Sequence, residues 1–244
     1  MASGRIVEVF TSVQGEGPYL GCRQLFVRLA GCNLDCTYCD TDFRAAPTFR
    51  LEEEPGSGRF REQPNPVTPA DFKDYVAGLP ASEYHSVSFT GGEPLVQDIF
   101  LLEALAGVKS LGWRTYLETN GTLPDALERV IGLCDIVSMD IKLPSVTDRP
   151  QPETHAEFLR LASAKEVFVK TVVSEATSGE EVRAAARIIR WISPGILLVI
   201  QPVTRREGQS FLSADRILDL QRVALAELEH VRVIPQTHHW AGMP

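Results

Sequence analysis

Three cysteines sit together in Gly31-Cys32-Asn33-Leu34-Asp35-Cys36-Thr37-Tyr38-Cys39-Asp40, separated by three and then two residues. Thiolates so spaced on one loop can each take one iron of a [4Fe–4S] cube, which leaves the fourth iron open to another ligand. A structural zinc site needs a fourth protein ligand, and an electron-transfer cube takes four cysteines. Neither fits, because the first histidine is His85 and the other cysteines, Cys22 and Cys134, lie apart from the triplet. The segment reads as an iron–sulfur site one protein ligand short. Cys22 and Cys134 read as small buried apolar side chains.

The bulk of the chain bounds what such a site can serve. Its 244 residues, 44% of them hydrophobic, are enough for one domain with a sizeable core. Five cysteines do not read as a secreted disulfide framework. The start, Met1-Ala2-Ser3-Gly4-Arg5, lacks a signal-peptide run and no stretch reaches transmembrane length, so a cytoplasmic protein with no membrane contact is expected. A net charge of −8 disfavours direct nucleic-acid binding. A role in nucleic-acid modification would then act on a free small molecule.

The elements that must position the cysteines alternate between strand and helix, the pattern of a parallel sheet with crossover helices. Strands are predicted near 5–10, 24–29, 85–90, 114–119, 135–141, 166–173, 196–201 and 231–235. Helices are predicted at 69–79, 95–111, 123–131, 153–164, 178–192 and 213–228. Ser178 and Glu181 have capping-box spacing, followed by Val182, Ala185, Ala186 and Ile189 on one face. Ser213 is placed to cap the last helix, whose stripe is Ile217, Leu220, Ala224 and Leu228.

Residues 44–68 interrupt the alternation. Two charged runs flank Pro55-Gly56-Ser57-Gly58, which reads as a β-hairpin insertion. Its charges suit a solvated face; a substrate lid or partner contact is the sharper alternative. Elsewhere polar residues keep strand period: Ser86, Ser88 and Thr90 against Val87 and Phe89, and Ser138, Asp140 and Lys142 against Val137, Met139, Ile141 and Leu143. Such a polar face is expected to line a cavity. Arg28 points there as well if its strand joins the sheet; otherwise it is a solvent-facing edge residue. His238 and His239 are adjacent, so on extended chain they diverge and make a poor metal pair.

Cys32-x-x-x-Cys36-x-x-Cys39 with Tyr38 before the last cysteine, together with Thr90-Gly91-Gly92-Glu93-Pro94, resembles the radical S-adenosylmethionine (SAM) superfamily. That resemblance implies that SAM binds the open iron and is split to a 5′-deoxyadenosyl radical that abstracts a substrate hydrogen. Val13-Gln14-Gly15-Glu16-Gly17, Arg28-Leu29-Ala30-Gly31-Cys32, Cys39-Asp40-Thr41-Asp42-Phe43, Glu118-Thr119-Asn120-Gly121 and the ending Pro235-Gln236-Thr237-His238 through Pro244 narrow it. Over nearly the whole chain they resemble the 7-carboxy-7-deazaguanine synthases.

This resemblance implies an α/β fold, a partial (β/α) barrel, with a small hairpin insertion here. It implies conversion of 6-carboxy-5,6,7,8-tetrahydropterin to 7-carboxy-7-deazaguanine with loss of ammonia, on the route to 7-deazapurines such as queuosine. SAM is regenerated at the end of the cycle. A homodimer, magnesium and a reducing donor such as flavodoxin go with it. Residue by residue, Cys32, Cys36 and Cys39 would ligate the cluster and Thr41 the magnesium. Tyr38, Asp40, Gly92, Asp140, Ile141, Lys142, Gln201, Pro202, Val203 and Thr204 would meet SAM, with Glu118 and Asn120 as ribose or methionine contacts. Asp140 and Ile141 depart from the family's Ser-Pro-Lys segment. Val13, Gln14, Gly15, Arg28, Thr90 and the carboxylate of Pro244 would meet the pterin. Gln14 and Glu16 have a plainer reading as shapers of a turn between glycines. A glycyl-radical activase acting on a protein partner is the competing reading of the same cofactor motifs, and a non-catalytic iron–sulfur or zinc protein that of a different class.

Overall fold

Strand period builds the sheet. In Ile136–Asp140 the apolar Val137 and Met139 go under the helices while Ser138 and Asp140 face the other way, as alternate residues of a strand must. The computed structural model of the protein describes residues 2–39, 41–147, 150–204 and 212–237. Among them the strands are β1 (Ile6–Val13), β2 (Arg23–Leu29), β3 (Thr48–Glu52), β4 (Phe60–Pro64), β5 (Ser86–Gly91), β6 (Thr115–Thr119), β7 (Ile136–Asp140), β8 (Glu166–Val173), β9 (Leu198–Pro202) and β10 (Val231–Val233). The helices are α1 (Pro69–Ala77), α2 (Asp98–Ser110), α3 (Pro124–Val130), α4 (Pro152–Ala162), α5 (Gly179–Ile192) and α6 (Ala214–Leu225).

The strands form one sheet in the order β10-β9-β8-β7-β6-β5-β2-β1-β3-β4. From β10 to β2 every neighbour is parallel, with helices in the crossovers. The sheet does not close, since β10 and β4 lie at opposite ends: this is the expected partial (β/α) barrel. A main core fills the space between sheet and helices. A second cluster of Tyr116, Ile136, Phe168 and Val199 fills the inner side, with Tyr19 packed edge-on against Tyr116. Ligand space is thereby confined to the other end of the interior.

The predicted capping box is present. Ser178 N donates to the Glu181 carboxylate (2.7 Å) and Glu181 N to Ser178 Oγ (3.3 Å), and Val182, Ala185, Ala186 and Ile189 are buried. Ser213 stands at the N-cap of α6, but its side chain makes no cap bond. Residues 95–97 belong to a 3-10 turn rather than to α2, because Glu93 takes the Leu95 N–H and holds the chain in a tighter turn. Cys134 is buried as expected, whereas Cys22 is only half-buried. Among the described residues no helix is long and apolar enough to cross a membrane.

Residues 44–68 do contain an antiparallel hairpin, β3–β4, and β3 also pairs with β1, so the insertion extends the main sheet. Its charges are not uniformly solvated. Glu53, Glu54, Arg59, Arg61 and Glu62 are exposed, but Glu52 is buried. Its carboxylate accepts from Thr11 N (2.8 Å), Gly56 N (3.0 Å) and Gly58 N (2.9 Å). Both glycines have positive φ, which the turn requires and a side chain would resist.

Candidate active site

The loop that follows β2 carries the cysteines, and two glycines let it dock. A Cβ on Gly91 would lie 2.3 Å from Leu29 O, and one on Gly92 2.0 Å from Gly31 O. Only bare backbone fits there. Glu93 N then donates to Gly31 O (2.8 Å) and Gly31 N to Phe43 O (2.8 Å), pinning the loop at its base. Cys32, Cys36 and Cys39 all line one cleft of about 790 Å³. Burial pushes the Cys32 and Cys36 thiols up, opposed by the Lys142 ammonium. Among the described residues no three Cys, His, Asp or Glu side chains converge as ligands of a single metal ion. That suits a cube, which presents a separate iron to each thiolate, and three soft thiolates are the donors that cube takes.

A chain of buried charges crosses the cleft from the cysteine loop. Lys142 Nζ donates to Tyr38 Oη (2.6 Å) and to Asp140 Oδ2 (2.8 Å). Burial, then the Asp140 carboxylate, holds the Tyr38 phenol well above the usual tyrosine range. Lys170, register partner of Asp140, ion-pairs with Glu16 and approaches Asp140 at 3.9 Å. Burial alone would lower the Lys170 pKa, yet the carboxylates of Glu16, Asp140 and Glu118 raise it above the ordinary lysine value. Glu16 Oε1 accepts from Gln201 Nε2 (3.0 Å) and Gln236 Nε2 (2.8 Å).

On the remaining wall Gln14 Nε2 donates to Glu118 Oε1 (2.8 Å) and to Gln24 Oε1 (3.2 Å), while Thr90 Oγ1 donates to Glu118 Oε2 (2.8 Å). Arg28, stacked above Phe10 at 5.8 Å, reaches Glu8 through Nε at 2.8 Å. The wall is thus one guanidinium among amide, hydroxyl and carboxylate groups. That set suits an anionic ring with several donors and acceptors.

Glu93, fully buried, ties this wall to the cysteine loop. Its carboxylate accepts from Asn120 N (2.7 Å), Thr119 Oγ1 (2.9 Å) and Leu95 N (3.1 Å), and Asn120 Nδ2 donates to Asn33 Oδ1 (2.9 Å). Burial raises its pKa to about 7, although the three donors oppose the shift. A carboxyl with a folded pKa above its ordinary 4.5 stabilises the fold fully below that value, and the contribution is lost as pH rises through about 7. Glu93→Gln is expected to remove this slope from the thermal stability. It should also cost about 1–3 kcal/mol, because the amide NH2 meets an N–H or O–H that needs an acceptor. Equal pH slopes in Tm for variant and wild type would rule this account out.

Residues 27–190 match the Radical SAM superfamily. A 7-carboxy-7-deazaguanine synthase of Geobacter sulfurreducens is 40% identical, over 96% of each chain. The chain belongs to the 7-carboxy-7-deazaguanine synthase family. The synthase of Methanothermobacter thermautotrophicus is 35% identical, over 98% of this chain and 97% of that one. The crystal structure of QueE from Escherichia coli shares the fold, with a TM-score of 0.59 at 18% identity, covering 95% of this chain and 93% of that one.

Of the positions carried over from the synthases, the cleft gathers most. Val13, Gln14, Gly15, Arg28, Thr90, Tyr38, Thr41, Gly92, Glu118, Asn120, Asp140, Lys142, Gln201, Val203 and Thr204 line it with the cysteines. Ile141 and Pro202 do not. Ile141 is in the apolar core, with its N–H given to Lys170 O and its carbonyl taken by Thr171 Oγ1. Asp40, Pro244, His238 and His239 lie outside the described residues. Ser86 and Ser88 are buried away from the cleft, so in β5 the expected polar face serves it only at Thr90. Glu118 bonds to Gln14 and Thr90, which groups it with the wall expected for substrate rather than for SAM.

Lys170, Glu8 and Gln236 were missed. Lys170 left a signal in sequence, a lone lysine in the run Val167-Phe168-Val169-Lys170-Thr171-Val172. A charge alternating with apolar residues in a buried parallel strand needs a partner. Glu8 was equally visible, two residues before Phe10 and so on the same face of β1. Glu16 is more than a turn shaper, since it closes the ion pair with Lys170.

Proposed function

We propose that the protein converts 6-carboxy-5,6,7,8-tetrahydropterin to 7-carboxy-7-deazaguanine with loss of ammonia. The observation that carries this reading is that one cleft is lined both by the three cysteines and by Arg28, Gln14, Glu118 and Thr90, in a chain of this family. When bound, the cluster and SAM supply a hydrogen-abstracting radical that no side chain can provide. Cys32, Cys36 and Cys39 hold the cluster. Tyr38, Asp140, Lys142, Gly92, Asn120, Gln201, Val203 and Thr204 would hold SAM, with Pro202 acting only through its neighbours. Arg28 grips the substrate carboxylate, while Gln14, Thr90 and Glu118 fix the ring. Val13 and Gly15 supply backbone.

Magnesium takes hard oxygen donors, and the hydroxyl of Thr41, which lines the cleft, would hold it together with substrate oxygens. A homodimer working in the cytoplasm and reduced by a flavodoxin-like donor completes the proposal. The relatives named above give the activase reading no support.

The test is anaerobic turnover of the cluster-reconstituted protein with reductant, SAM and 6-carboxytetrahydropterin, with and without magnesium, followed by mass. Product formed without proportional loss of SAM is the expected outcome, with less product when magnesium is withheld. SAM cleaved without product would overturn the substrate assignment; SAM left intact by a cluster-loaded protein would overturn the reaction class.

A further inference from the structure

Thr90, Arg28, Glu8, Arg50 and Glu62 are consecutive cross-strand partners, one on each of β5, β2, β1, β3 and β4. All five line the cleft. The row starts at the wall already described and ends in the hairpin, and Glu8 is its hinge. Glu8 Oε1 accepts from Arg28 Nε at 2.8 Å and Oε2 from Arg50 Nη1 at 3.3 Å. The Glu8 side chain is 11% exposed, Arg28 21% and Arg50 53%. Arg50 is itself laid over the Phe60 ring at 4.0 Å.

We infer that Glu8 is the positioning residue for the carboxylate-binding arginine, and that the β3–β4 hairpin steadies it through Arg50. The inference rests on the proposed grip of Arg28 on the substrate carboxylate. A guanidinium binds a carboxylate bidentately through one edge, and it has two edges that can do so. Glu8 occupies Nε, and among the described residues the two terminal nitrogens of Arg28 make no hydrogen bond. Their shared edge is therefore left open, in a side chain that lines the cleft, as a preset fork. Glu8 carries a negative charge close to an anion site, so a purely Coulombic view makes it harmful. Its use lies in fixing which edge is offered and in lowering the ordering cost when substrate arrives.

The two views predict opposite signs, and binding separates them. Dissociation constants for 6-carboxytetrahydropterin and for tetrahydropterin lacking the carboxylate are measured on the cluster-loaded protein with SAM, together with iron content and SAM affinity. In Glu8→Ala the carboxylated ligand is expected to weaken about tenfold, as befits one lost preorganised contact, while the analogue is unmoved. Glu8→Gln keeps an acceptor for Nε and should restore most of the loss. Arg50→Gln, at a half-exposed pair, should cost only about two- to threefold. Unchanged or tighter binding of the carboxylated ligand to Glu8→Ala would overturn the inference. So would equal weakening of both ligands with loss of iron and SAM, the mark of a structural role. A wild-type protein that binds the two ligands equally would take down the proposed grip of Arg28, and this inference with it.

Discussion

Cys36→Ala is expected to abolish turnover and to lower the iron bound on reconstitution. The loss should exceed the roughly 10–100-fold that follows when a residue merely supporting a metal ligand is changed. One of three thiolates is gone, and the neighbouring Lys142, Tyr38 and Asp140 offer no soft donor to replace it. Cys134→Ala provides the contrast. That thiol is buried, donates only to Val130 O (3.5 Å) and is pushed up to about 12 by burial. Its loss should show as about 1 kcal/mol of stability with iron content intact. Iron binding in Cys36→Ala equal to wild type would remove the cysteine triplet from the cluster.

Lys170→Met is the second large effect. Lys170 is the buried cation between Glu16 and Asp140, and removing one partner of a buried pair costs about 3–5 kcal/mol. Asp140 keeps Lys142, so the loss falls on the Lys170–Glu16 ion pair. The pH dependence carries the sign. In the wild type Lys170 has a folded pKa raised above 10.5, so its contribution is fully present below that value and constant through neutrality. The variant lacks that contribution, so its deficit should be constant through neutrality and shrink as pH rises past 10.5. Chemical unfolding of both proteins at neutral pH and above pH 10.5 checks this. A deficit unchanged above pH 10.5 would mean that the Lys170 charge does not carry it.

The fold was legible where the physics is local. The capping box at Ser178 and Glu181 and the alternation in β7 are short-range patterns, and the structure repeats them within a residue or two. What stayed hidden depends on which strands become neighbours. Nothing local says that β1 runs antiparallel beside β2 and takes β3 on its other side, and that arrangement alone aligns Arg28, Glu8 and Arg50. Glu52 was misjudged for a related reason: its burial comes from the turn folding back onto its carboxylate and from β1 beyond it. In the site, the family motifs found the cleft's lining. They could not show that Glu118 belongs with Gln14 and Thr90, because that grouping spans three separate strand ends.

A barrel that closes at small strand number fills its inside with side chains. Here the sheet stops at β4 and β10, which leaves a cleft of about 790 Å³ open and, among the described residues, two outer strands paired on one side only. An uncovered edge invites a strand from another chain. The outermost strand, β4, carries exposed Arg61 and Glu62 and ends in Pro64, which has no N–H to offer. The doorway to the cleft is thus framed by a strand unsuited to recruiting another, and access for small molecules is kept without a sticky rim.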